Sequence, residues 1–171
     1  MISATFTGLI LNKFEHKLAV ISSVLFACVP MIMDTGGNAG SQASVTVIRA
    51  LALGELSTKD VLRVLWKEMR ASVLLGISLS IACFAKLMLI DNLLFGYKDY
   101  TVFTCVVVSL ALMCTVIIAK LVGCMLPMLA KKMKLDPAVV ASPFITTIVD
   151  ALALILYCSL AVGLLGGLTA M

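Results

Sequence analysis

The sequence predicts an all-α integral membrane protein with five transmembrane helices. Of its 171 residues, 62% are hydrophobic and only 13% are charged, and the mean hydropathy is +1.16. Soluble domains carry about 25% charged residues, so this composition is typical of a chain that lies within a lipid bilayer. The apolar runs 71–90, 100–129 and 137–170 are each long enough to cross a hydrocarbon core of about 30 Å as a helix.

The first two segments are predicted at 1–11 and 18–53, with the polar stretch 12–17 as a loop between them. Residues 1–11 lack the basic start and the small-residue cleavage site of a signal peptide. We therefore expect them to be an incomplete first helix, the remainder of which belongs to a longer protein.

The connection 54–70 is predicted to be a short amphipathic helix at the membrane interface. The pattern Ser57-x-x-Asp60 resembles a capping box, and Trp66 is a candidate interfacial anchor. The last segment has a clear start, with Asp136 as N-cap and Pro137 at the first helical position.

The distribution of Lys and Arg predicts the orientation. Eight of them lie in or beside the connections 54–70 and 130–136, against four on the opposite side. Positive loops face the cytoplasm, so a multi-pass protein of the cell membrane with a cytoplasmic N-terminus and an external C-terminus is expected. Lys86 and Lys120 lie within spans, and snorkelling to the interface is the simplest expectation for both.

The second segment is too long for a straight span. Its 36 residues would reach about 54 Å, at about 1.5 Å per residue. Pro30 and the Gly36-Gly37 pair lie near its middle and predict a kink or break. Non-helical backbone at that depth is tolerated only inside protein or beside a wet cavity, which favours a pathway.

Polar residues recur every four positions in this segment, so they share one helical face: Asp34, Asn38, Gln42 and Thr46. Gly36 and Gly40 form a GxxxG pair, which predicts the close approach of another helix. The same region contains Asp34-Thr35-Gly36, the triplet of soluble aspartic proteases.

The fifth segment carries a second polar face. Asp150 lies near its middle, and Thr146 and Ser142 precede it by four and eight residues, with Pro143 available to bend the helix. A carboxylate within a membrane segment is costly and indicates a functional site. Asp150 is therefore the strongest candidate for a metal site, and Asp34 is a possible second acid.

The available ligands are oxygen atoms, which suit hard cations such as Mg²⁺ or Ca²⁺. The six cysteines lie in apolar segments without CxxC spacing, and His16 is the one histidine, so a zinc site is not expected. The net charge of +4 is modest and does not predict a nucleic-acid partner. Since Mg²⁺ retains much of its water, two symmetry-related Asp150 carboxylates facing a hydrated ion would suit it.

Two stretches, DTGGNAGSQASVTVIRALALGE (34–55) and DPAVVASPFITTIVDALALILY (136–157), resemble the MgtE family of magnesium channels and transporters. The resemblance extends over essentially all of 1–171 and marks the chain as a transmembrane pore domain. It implies a homodimer with its pore on the two-fold axis, lined mainly by the second and fifth helices. It also implies that cytoplasmic N-terminal and CBS regulatory domains of the full-length chain are absent here.

The resemblance implies that Asp150 is the residue that selects magnesium. It implies that Asn38, Ser142 and Thr146 face the pore. The predicted function is uptake of Mg²⁺ down its electrochemical gradient, without enzymatic activity.

Three alternatives remain at this stage. A proton- or sodium-coupled carrier could titrate Asp150, although such carriers usually show an inverted repeat, which is not evident here. An intramembrane aspartyl protease would need two carboxylates about 3 Å apart, and Asp150 has no matching triplet. A structural or assembly subunit would use only the GxxxG notches.

Overall fold

The computed structural model describes residues 2–21, 23–57, 59–96 and 100–166. Within these ranges, nothing is described for the side chains of 2–4, 16–17, 19–21, 23 and 138–143. The described residues form α1 (Ile2–Ile21), α2 (Ser23–Ala52), α3 (Val61–Lys86), a π-helix (Leu87–Leu94) that continues α3, α4 (Val102–Lys132) and α5 (Pro137–Leu165). The predicted all-α class is confirmed.

Helix α4 occupies the centre of the bundle. It packs against α2, α3 and α5, and α5 also packs against α1 and α2. The largest buried cluster joins these helices toward the π-helical end and includes Leu25, Leu154 and Tyr157. Five of the six cysteines are buried and Cys114 is half-buried, all with free thiols, which agrees with their expected role as small core residues.

The predicted loop at 12–17 is wrong. Helix α1 continues through it to Ile21, and α2 begins at Ser23 rather than at residue 18. Residues 9–29 contain neither glycine nor proline. Polarity alone does not end a helix, and the Lys and Glu in this stretch are good helix formers.

The separate interfacial helix predicted at 54–70 is also wrong. Residues 61–70 are the first turns of α3, which starts after Asp60, three residues later than the predicted cap at Ser57. The Ser57 backbone N–H and hydroxyl both donate to Asp60 Oδ2, at 2.9 and 2.7 Å, and close a turn before the helix. These bonds hold the pKa of the exposed Asp60 carboxyl below its usual value.

Helix α2 is not broken at its glycines or at Pro30. It is assigned as one helix of 30 residues, so the expected stretch of non-helical backbone is absent from this described segment. Pro30 has no N–H for the Phe26 carbonyl. Next to that position, the buried Tyr157 hydroxyl of α5 donates to the Leu25 carbonyl at 2.7 Å, which ties α5 to α2 beside the proline.

Three helical stretches of the described chain are long and apolar enough to cross a membrane: Val61–Leu94, Val102–Lys132 and Phe144–Leu165. The described part of α2 is not among them, because the polar residues from Asp34 to Thr46 lower its mean hydropathy. The predicted start of α5 at Pro137 is confirmed, and residues 167–170 of the fifth segment lie outside the described range.

The expectation that Lys86 and Lys120 snorkel is replaced by two ion pairs. Lys86 Nζ lies 2.6 Å from Asp91 Oδ2 in the π-helix. Lys120 Nζ of α4 lies 3.2 Å from Glu68 Oε2 of α3, and both of these side chains are only 13% exposed. The sequence pattern places Glu68 in an interfacial segment and therefore does not indicate it as the partner of Lys120 within the bundle.

Helices α2 and α4 cross at their backbones. A Cβ placed on Gly123 of α4 would overlap the carbonyl oxygen of Gly40. The same Cβ would lie only 2.9 Å from the carbonyl carbon of Gly40 and 3.0 Å from its Cα. On the other side, a Cβ on Gly40 would meet Val149 Cγ2 at 3.0 Å and the Ala119 carbonyl at 3.1 Å. Gly40 therefore lies at a close crossing of two helices, with Gly123 opposite it.

We predict that Gly123→Ala lowers the free energy of unfolding by about 1–3 kcal/mol, because backbone cannot move aside as a flexible side chain can. Unfolding in mixed micelles, followed by circular dichroism, measures the change. Gly163→Ala in α5 is the matched control, since a Cβ there meets nothing within 4 Å of the described protomer. That control should be neutral or stabilising by up to about 1 kcal/mol. Equal effects of the two substitutions would contradict the crossing.

We predict that Glu68→Gln destabilises the bundle by about 3 kcal/mol, because it leaves the Lys120 ammonium without its carboxylate. Adding Lys120→Met to this variant should restore most of the loss. A double-mutant cycle in the same unfolding assay gives the coupling energy. Strictly additive effects would show that the two side chains do not interact.

Candidate functional site: facing polar surfaces of α2 and α5

One face of α2 is polar and exposed on the described protomer. We call Asp34, Asn38, Gln42 and Thr46 the polar face; all four are exposed. The Asn38 amide donates to Asp34 Oδ2 at 3.2 Å, and the Thr46 hydroxyl donates back to the Gln42 carbonyl at 3.0 Å. The predicted four-residue spacing does produce one shared surface.

The opposite side of α2 is built from small residues that turn inward. Gly36, Ala39, Gly40 and Ala43 are all buried. A Cβ on Gly36 would lie 2.8 Å from Thr115 Cγ2 of α4 and 3.5 Å from Ala153 Cβ of α5. This packing fixes the rotation of α2 about its axis and leaves the polar face turned away from the core.

Asp150 of α5 lies directly against α2. A Cβ on Gly37 would lie 3.3 Å from Asp150 Oδ1. Because glycine has no side chain, the Asp150 carboxylate can lie close to the backbone of α2 at this position. Gly37 precedes Asn38 and follows Asp34 by three residues. The half-buried Asp150 is therefore at the level of the two residues that begin the polar face.

The electrostatic environment of this region is negative. The charge of Asp34 acts on Asp150, so the two carboxylates repel each other across the α2–α5 contact. Within the described chain, no Lys or Arg lies within salt-bridge distance of either acid. Two carboxylates without a cationic partner in neighbouring helices create a potential that favours a cation.

The other predicted residues are placed less fully. Thr146 is half-buried, four residues before Asp150 on the same side of α5. Ser142 and Pro143 lie in α5, but their side chains are outside the described residues. Pro30 is exposed on α2, a full turn before Asp34. Gln42 and Thr46 continue the polar face toward the end where α2 meets α3, at increasing distance along the helix from Asp150.

The protein ligands at this contact are few. Among the described residues, no group of three or more His, Cys, Asp or Glu side chains is arranged to hold a metal ion. The Asp34-Thr35-Gly36 triplet lies in continuous helix, with the Thr35 hydroxyl bonded to the Met31 carbonyl at 2.7 Å. It does not form the catalytic loop of an aspartic protease. Two acids with amide and hydroxyl neighbours suit an ion that keeps most of its water.

Sequence reasoning missed two residues that position this region. Gly123 admits the backbone of α2 at Gly40, and Thr115 fills the notch at Gly36. The Thr115 hydroxyl is buried without a hydrogen-bond partner in the described structure, so its methyl contact with α2 is its evident role. Gly123 is the single glycine of α4 and forms no GxxxG pair, so no sequence pattern points to it.

The chain is similar to known transport proteins over most of its length. The family profile MgtE, described as a divalent cation transporter, matches residues 29–160. Proteins named magnesium transporter MgtE from Thermus thermophilus, Bacillus subtilis and Enterococcus faecalis are 37%, 31% and 28% identical to it over 91% of this chain. The match spans 32% of the length of each relative, so this chain is about a third as long as the relatives. The family match covers well over half of the sequence, and the chain therefore belongs to the MgtE family of divalent cation transporters.

Proposed function

We propose that the chain forms a Mg²⁺-selective pathway across the cell membrane, with Asp150 as its central ion-binding residue. The observation that supports this most is the contact of the Asp150 carboxylate with α2 at Gly37, beside Asp34 and Asn38. It brings the acid of α5 to the one polar surface of α2. The names of the three relatives, all magnesium transporters, favour Mg²⁺ as the transported ion.

In this proposal two protomers form a homodimer, and the pore lies on their two-fold axis. The polar face is exposed on the single protomer, and exposing amide and carboxylate groups to lipid would be costly. A second copy facing the first would enclose the two polar faces around water. All five helices then cross the bilayer, and the second protomer shields the polar face of α2 from lipid. The N-terminus is cytoplasmic, the C-terminus is external, and regulatory domains belong to the remainder of the full-length protein.

The proposed mechanism uses charge rather than a dehydrating cage. Two symmetry-related Asp150 carboxylates attract a hydrated Mg²⁺, and Asn38, Thr146 and Ser142 contact its water shell. Weak contacts through water let the ion leave as readily as it enters. Asp34 adds negative charge near the same level, while its bond with the Asn38 amide orients both side chains.

We predict that Asp150→Ala abolishes selective Mg²⁺ uptake into liposomes and leaves the oligomeric state unchanged. The variant removes the central carboxylate without placing bulk against Gly37. Uptake is measured with an Mg²⁺-sensitive dye, with Ca²⁺ compared in parallel. Asp91→Asn is the matched control, because Asp91 is an acid of a membrane helix that is paired with Lys86 and lies away from the α2–α5 contact. It should retain uptake. Undiminished and still selective uptake by Asp150→Ala would contradict the proposal.

The same assay separates a channel from a coupled carrier. Uptake that follows the membrane potential and does not respond to a proton or sodium gradient supports the channel. Uptake driven by either gradient would instead support the coupled carrier.

The chain belongs to a family of transporters, which are not enzymes, and this excludes the aspartyl protease alternative.

A further inference from the structure

A cavity of about 640 Å³ lies where the end of α2 meets the start of α3. We call it the basic groove, because four of its lining residues are cations: Arg49, Arg63, Lys67 and Arg70. Glu55 and Glu68 also line it. The bond from Lys131 Nζ to the Leu51 carbonyl shows that the basic end of α4 lies on the same side of the bundle.

The cations of the basic groove form no close ion pair within the described chain. No carboxylate of the described chain lies within salt-bridge distance of any of them, and Glu68 is already bonded to Lys120 of α4. Four positive charges therefore face one free acid, Glu55, which leaves an excess of three. Because four cations on one cavity wall repel each other, the site favours an anionic ligand.

A second groove continues from the first along the outside of α3. Its volume is about 390 Å³, and it is lined by Trp66, Met69, Arg70, Val73 and Leu74. Trp66 and Arg70 line both grooves. A positively charged groove thus leads directly into an almost entirely apolar one, in which Leu74 is 70% exposed on the described protomer. Free phosphate or a nucleotide would use only the first of these.

The depth of the two grooves matches that of a lipid headgroup and its chains. The span Val61–Leu94 has 34 residues and is about 50 Å long at about 1.5 Å per residue, which exceeds the hydrocarbon core. Part of it therefore lies outside the core. The first turns suit the interface, because they carry Trp66 and three cations, and Trp is enriched there while Lys and Arg meet phosphate groups. The apolar groove lies one to two turns deeper.

We propose that the basic groove binds the phosphate headgroup of an anionic phospholipid, with an acyl chain in the apolar groove along α3. Arg63, Lys67 and Arg70 contact the phosphate, and Trp66 lies at the boundary between headgroup and chain. Binding there would brace the start of α3 against the end of α2. Thr46, the last residue of the polar face, also lines the basic groove, but the residues that carry this proposal lie on α3 and do not belong to the polar face. The proposal therefore does not depend on the ion that the chain transports.

Trp66 is the single tryptophan of the sequence, so its fluorescence reports on this site alone. The chain is reconstituted in vesicles that contain equal mole fractions of brominated phosphatidylglycerol or brominated phosphatidylcholine, and quenching gives the ratio of the two association constants. We expect the ratio to exceed one for the unmodified chain. Arg63→Gln/Lys67→Gln/Arg70→Gln should lower it roughly fivefold for each cation removed, the equivalent of about 1 kcal/mol per basic residue, until it approaches one.

The matched control is Lys59→Gln/Lys132→Gln/Lys134→Asn, which removes three positive charges from the same end of the bundle outside both grooves. It should keep the ratio of the unmodified chain. Arg70→Gln alone, at the junction of the grooves, should lower the ratio about fivefold if the triple variant does not fold. Equal quenching by both lipids in the unmodified chain would overturn the proposal. So would an undiminished ratio in the groove variants, or an equal loss in the control.

Discussion

The close crossing of α2 and α4 at Gly40 and Gly123 determines how α2 is positioned against α5, and with it the location of the polar face. Backbone meets backbone there, so α2 can neither rotate nor slide without a clash. The orientation of α2 about its axis that this crossing imposes also places Gly36 against Thr115 and Gly37 against Asp150. It also turns Asp34 and Asn38 away from the core. The location of the polar face is thus a consequence of small residues on the other side of the helix.

Helices α2 and α3 expose different kinds of side chain. Helix α3 exposes large apolar side chains, among them Leu74 and Ile81 at 70% and 66%. Helix α2 instead exposes carboxylate, amide and hydroxyl groups, and it is not apolar enough to cross lipid on its own. A surface of that kind is stable in a membrane only against protein or water, and the proposed two-fold pore would supply both.

Residues that act through local chemistry were predictable from the sequence, and those that act through packing partners were not. The four-residue spacing from Asp34 to Thr46 and the Asp136-Pro137 start of α5 required only helical geometry. The predicted boundaries of α1 and α3 are wrong because polar residues at 12–17 and 61–70 do not end a helix where glycine and proline are absent. Gly123 and the Glu68–Lys120 pair could not be found, because each depends on which helix lies opposite.

The central claim is that the polar face of α2 lines water inside a membrane, and thiol accessibility at Asn38 tests it most directly. Asn38→Cys and Ile81→Cys, on an exposed apolar site of α3, are placed in vesicles and treated with a membrane-impermeant thiol reagent, with the unmodified chain as background. Thiols react as thiolates, which form in water and not in lipid. The account predicts that Asn38→Cys reacts, that Mg²⁺ slows this reaction, and that Ile81→Cys reacts no faster than the background. Background reactivity at Asn38→Cys would contradict it.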